Sequence, residues 1–116
     1  MDVKRFYEET GGRYADALAI MMNDMLIARL LGKFLSGDAV PQLISLYEKK
    51  DYRGVFAASH SLKGVAGNLA LTPIFDLACT ITEATRNSDD VNLDKEIAEL
   101  GCVYELIQRK YKEHIA

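Results

Sequence analysis

The stretch SHSLKGVAGN, Ser59 to Asn68, sets a histidine, a lysine and two glycines into what otherwise reads as the middle of an amphipathic helix. Asp51 is a capping residue just upstream, and apolar residues recur every three or four positions, so the spacing predicts a helix running to about Leu69. Stepping about 100° per residue from His60 places Val55, Ala58, Leu62, Val65, Ala66 and Leu69 on the opposite side, as the stripe expected to be buried. His60 then points outward. Phe56, Ala57, Lys63, Gly64, Gly67 and Leu71 fall on its side, with Asn68 near the margin. Each glycine inside a helix costs about 1 kcal/mol relative to alanine, and an ordinary solvated face would carry Glu and Lys instead. Two glycines one turn apart on the outer face therefore mark a clearing that something approaches closely.

The rest of the chain also reads as helix. No alternating strand pattern of useful length occurs. A short helix from about Asp2 to Thr10 ends at Gly11-Gly12, and a second runs from about Tyr14 to Met22, where Asn23 caps the next helix. From Asp24 to about Lys50 the apolar period runs on through Ser36-Gly37-Asp38 and Pro41, which predicts either one kinked helix or two. Thr72-Pro73 reads as a cap followed by a first-position proline, opening a helix to about Arg86. The polar run Asn87 to Asp90 is a loop, and a last helix covers about Asn92 to His114. Short connections favour antiparallel neighbours, so the expected architecture is all-α. It is an antiparallel up-down four-helix bundle over about residues 24–114, with the short helices of about residues 2–22 packed across one end.

Composition narrows the function classes. With 116 residues the chain is expected to be a single domain, too short for a large cofactor-binding architecture. A net charge of −3 with interspersed cations offers no basic stripe, which argues against nucleic acid and anionic lipid as partners. The longest clean apolar run, Ala17 to Met22, is too short to span a membrane, and MDVKRFYEE does not read as a signal peptide, so a cytoplasmic protein is expected. Cys79 and Cys102 lack CxxC spacing and read as small apolar fillers, and no metal site is expected.

An outward imidazole without a Ser, Cys or carboxylate spaced for a triad does not suit hydrolysis, and no glycine-rich strand-to-helix loop is present for nucleotide phosphates. What remains is transient covalent carriage on the ring. Imidazole is nucleophilic while unprotonated, and the Lys63 charge nearby favours that neutral form. After reaction the same ammonium screens an attached phosphoryl group.

The run His60 to Leu69 fits H-x-L-K-G-x-[AS]-x-N-[LI] throughout, and so resembles the signature of histidine-containing phosphotransfer domains of two-component phosphorelays. The resemblance extends to RLLGKFL, to KKDY before the motif helix and to ITEATR at the end of the next. It implies that His60 is the phosphoacceptor, attacking through Nε2, that Lys63 gives electrostatic support, and that Gly64 and Gly67 let a receiver domain approach. Phe56, Ala57 and Leu71 would border that docking face, with Asn68 in local hydrogen bonding. The implied partners are response-regulator receiver domains and a hybrid sensor histidine kinase, with magnesium on the receiver and no cofactor on this chain. A monomeric, stoichiometric carrier is expected rather than an enzyme. Ser59 stands where the family often has alanine, and Ala70 where it often has glycine; alanine there is expected simply to continue the helix. Two other readings compete. One is an interaction module of the same shape that binds a receiver or kinase without carrying phosphate; the other is a metal or redox protein using His60, His114, Cys79 and Cys102.

Overall fold

Each helix begins where a side chain can satisfy the free N–H groups of a first turn, or where a turn delivers the chain into helical geometry, and the computed structural model, which describes residues 1–116, shows seven of them. Helix α1, Val3–Thr10, starts where the Asp2 carboxylate accepts from the Arg5 N–H at 3.0 Å, and stops at Gly11, whose φ of +76° only glycine adopts cheaply. Helix α2 is Tyr14–Met21. Helix α3, Asp24–Ser36, is capped by Asn23, whose side chain accepts from the Leu26 N–H at 2.8 Å. Helix α4 is Ala39–Glu48, and α5, Tyr52–Asn68, opens on the Asp51 carboxylate, which accepts from the Gly54 N–H at 2.9 Å. Helices α6, Thr72–Thr85, and α7, Asp94–His114, complete the chain.

The segment after Asp24 is two helices. Gly37 is extended, and the break puts Pro41 in the first turn of α4, where its missing N–H deletes no helical hydrogen bond. Thr72 is not a cap: it is already helical, Leu71 occupies the capping position, and no side chain accepts from the first turn.

Packing joins α5 to both α4 and α6, and α7 to both α4 and α6, so these four helices form a closed cycle of neighbours. Leu43, Val55, Leu62, Ile74, Ile81, Leu100 and Ile107 are buried inside it, each side chain contributing about 1.5–3 kcal/mol by leaving water. Helix α3 joins the same core through Ile27, Leu31 and Phe34; the Phe34 ring meets Tyr104 of α7 edge-on.

Helix α1 rests on α7, and the N-terminal segment also touches the end of α5. The Tyr7 hydroxyl donates to the Leu69 carbonyl at 2.6 Å and the Arg13 N–H to the Ala70 carbonyl at 3.0 Å. Near the end of α7, Glu9 takes Lys110 at 2.9 Å and His114 at 3.0 Å.

The end of α5 corrects one expectation. Ala70 does not continue the helix; it lies at φ +53° while its N–H donates to the Gly67 carbonyl and the Leu71 N–H to the Ala66 carbonyl. That pair of bonds is a Schellman turn, with alanine in the left-handed position that usually holds glycine. The resulting reversal brings Ala70 and Leu71 into the core.

Candidate functional site

The stripe that α5 buries is Val55, Ser59, Leu62 and Ala66, at helical spacing but rotated from the expected one toward Ser59. Val65, expected inside, is 42% exposed, and Ala58 is half-buried. The reason is asymmetric packing: α6 is the most intimate neighbour of α5, so the side facing α6 is buried most deeply. Ser59 suits that position because its hydroxyl meets the Thr82 hydroxyl at 2.9 Å and donates to the Phe56 carbonyl at 3.1 Å.

This rotation leaves His60 exposed, with Ala57, Gly64, Gly67 and Asn68 exposed around it and Phe56 and Lys63 half-buried. Leu71 does not join this face. It is fully buried, because α5 ends at Asn68 and a rotation of 100° per residue has no meaning beyond the turn at Ala70. Asn68 makes no side-chain hydrogen bond within the chain, contrary to the local role expected of it; it lines a shallow depression with Leu30, Lys33 and Val65.

The two glycines differ. A methyl at position 64 would meet nothing within 4 Å, so packing within the chain does not require glycine there. One at position 67 would stand 3.3 Å from the Phe75 ring, so Gly67 also accommodates an aromatic side chain from α6.

The His60 ring lies nearly parallel to Phe56, with centroids 6.2 Å apart and planes 12° apart. Over Phe56 sits the Arg86 guanidinium, with Cζ 5.3 Å from the ring centre, and Arg86 is paired with Glu83 at 2.8 Å. The Glu83 carboxyl is held below its usual range chiefly by the hydrogen bond from Arg86, and the Lys63 charge pushes the same way. Glu83 and Arg86 belong to the ITEATR segment, but periodicity within one helix does not reveal which neighbouring helix brings a charge to Phe56. Beside this face, toward α4, a cleft of about 500 Å³ opens between Gln42, Leu46, Ala57, Ser61 and Val65.

The residues of the metal or redox reading are not brought together. His114 clusters with Glu9 and Glu113, a group that includes neither His60 nor a cysteine, and the Lys110 ammonium already lies 2.9 Å from Glu9 and 3.1 Å from Glu113. Both cysteines are free thiols, and Cys102 is exposed rather than a core filler. No helix is long and apolar enough to cross a membrane.

A family model for the Hpt domain matches residues 29–110, which contain the whole motif helix and the helices on either side. Searches of curated proteins and of solved structures found no match. Hpt domains are phosphocarriers of two-component phosphorelay signalling that interact with receiver domains and kinases. With that match spanning most of its length and the H-x-L-K-G motif exposed on α5, the chain belongs to the Hpt domain family.

Proposed function

We propose that this protein is a phosphorelay intermediate in which His60 accepts a phosphoryl group from the aspartyl phosphate of a receiver domain, or from a kinase, and passes it to the aspartate of another receiver. The observation that carries this reading is an exposed imidazole beside an open Gly64 on an otherwise well-packed helix. In the accepting step the Nε2 lone pair of neutral His60 attacks phosphorus. An N–P bond forms as the O–P bond to the aspartyl carboxylate breaks; that carboxylate leaves with the bonding pair, and the proton on Nδ1 stays on the ring. The donating step is the reverse, onto a second carboxylate.

Little covalent work falls to this chain in such a transfer. Phosphoryl transfer is governed by positioning and charge stabilisation, and the receiver's acidic pocket with its magnesium ion would supply most of the latter. Lys63 contributes a cation on the His60 side of α5, which would offset the negative charge of the phosphoryl group carried on the ring. Gly64 leaves room for the receiver's loops, with Ala57, Phe56 and Gly67 around it. We read α4 to α7 as an up-down four-helix bundle, with α1 and α2 closing one end, that holds His60 in place as a monomeric stoichiometric carrier.

The test is incubation with a receiver phosphorylated on its aspartate. Label that is labile in acid and stable in base should appear on the wild-type protein, and His60→Gln should take up none. Uptake by His60→Gln at the wild-type rate would refute the assignment, and receiver binding without transfer in either direction would favour the interaction module.

A further inference from the structure

The ring of His60 is exposed and makes no hydrogen bond within the chain, so no polar partner fixes its plane. A free imidazole on a helix surface turns about two side-chain bonds and aims its attacking nitrogen correctly for only part of the time. What flanks it here is the Phe56 ring, one turn earlier on the same helix and with its plane 12° from parallel to the imidazole. Phe56 is in turn covered by a residue from another helix: Arg86, at the end of α6, places its guanidinium 5.3 Å from the ring centre. Glu83, one turn before Arg86, holds that guanidinium through an Nη2 to Oε1 contact of 2.8 Å.

We propose that Arg86 is a positioning residue for transfer at His60: held by Glu83, its guanidinium clamps the Phe56 ring, and the clamped ring keeps the imidazole plane aimed outward. The physical basis is a cation lying over the negative face of an aromatic ring, supplied by a group that is planar and always charged. A clamped ring presents a fixed wall to the imidazole, and parallel rings at this spacing attract. Arg86 acts through Phe56 and is assigned no contact with the transferred group. The device also ties the orientation of His60 to the packing of α6 on α5, since the clamp comes from one helix and the nucleophile from the other. Buried hydroxyls of Ser59 and Thr82 join the same two helices at 2.9 Å, within one residue of His60.

This inference rests on His60 as the phosphoacceptor, and its experiment has one arm that does not. In NMR spectra of the full chain, the His60 ring protons should carry a ring-current shift from Phe56. Arg86→Gln and Phe56→Leu should both move those resonances toward the values of an exposed histidine, whereas Arg86→Lys, which keeps a cation, should retain most of the shift. Uptake of label from a phosphorylated receiver should slow about tenfold in Arg86→Gln, and adding that change to Phe56→Leu should slow transfer little further, because the two residues act as a unit. The Arg86 side chain is 45% exposed, so the fold should survive, with circular dichroism as the check. Glu83→Gln provides a second variant, which should give a smaller shift in the same direction. Unchanged His60 resonances in Arg86→Gln, or transfer at the wild-type rate, would overturn the clamp. If the wild-type chain takes up no label at all, the phosphoacceptor reading fails instead, while the NMR arm still decides whether Arg86 orders the ring.

Discussion

At the scale of single residues, Gly64 separates docking from folding most cleanly. A side chain added there would project into open space, so nothing inside the molecule resists it. Gly64→Gln should therefore leave the fold intact and raise stability by up to about 1 kcal/mol, the helix-propensity difference, as read by urea denaturation. Phosphoryl transfer from a receiver should fall sharply in the same variant, because the added side chain stands where the partner must come close. Loss of helicity instead would mean that the glycine serves packing. Gly67 is a poorer probe, since Phe75 lies against it and a substitution there would disturb α6 as well. His60, Lys63 and both glycines were legible from residue type and helical rotation alone. Arg86 was not, because its role depends on which helix lies beside Phe56, and local spacing carries no such information.

At the scale of the element, α5 shows how far periodicity reaches. Its start at Asp51 follows from a side chain that can cap, and its apolar spacing correctly predicts a helix over most of the segment. The rotation that puts Val65 inside fails because the apolar stripe is wider than the contact surface. Where α6 and α4 pack on α5 decides which flank stays wet. The far end fails for a different reason. Ala70 takes a left-handed conformation that costs an L-residue about 1–2 kcal/mol, and it does so because the Schellman turn and the Arg13 contact hold the chain there. Ala70→Gly should relieve that cost and stabilise the protein by about 1 kcal/mol, seen as a rise in Tm, with the lost methyl contact offsetting a part. A fall in Tm would mean that the buried methyl outweighs the backbone strain.

At the scale of the whole molecule, the N-terminal helices are joined to the end of α7 by an ionic cluster with a definite pH dependence. The Glu9 carboxyl is held well below the usual carboxylate range, first by hydrogen bonding to Lys110, then to His114 and Arg5. The folded chain thus keeps Glu9 ionised further into acid than the unfolded chain does. Its contribution is present above the ordinary carboxylate value of 4.5 and is lost as the pH falls below it. The difference in Tm between wild type and Glu9→Gln should therefore shrink progressively as the pH falls below about 4.5. A difference that grew in acid would contradict the clasp. High salt should also reduce it, because these groups lie near the surface.

The sequence by itself determined that this protein is all-helical, where most of its helices begin and end, and which imidazole stands out on α5, because caps, propensity and apolar period are local properties of neighbouring residues. It also carried the family, since the motif around His60 is contiguous in the chain. Only the tertiary structure decided that Asp24 to Glu48 breaks into two helices, that Leu71 is core rather than face, that Val65 is exposed, and that Arg86 lies over Phe56. The break at Gly37 is a local choice between two outcomes the sequence allowed, whereas Leu71, Val65 and Arg86 owe their positions to contacts between elements distant in sequence, where packing one helix on another overrides the preference of either alone.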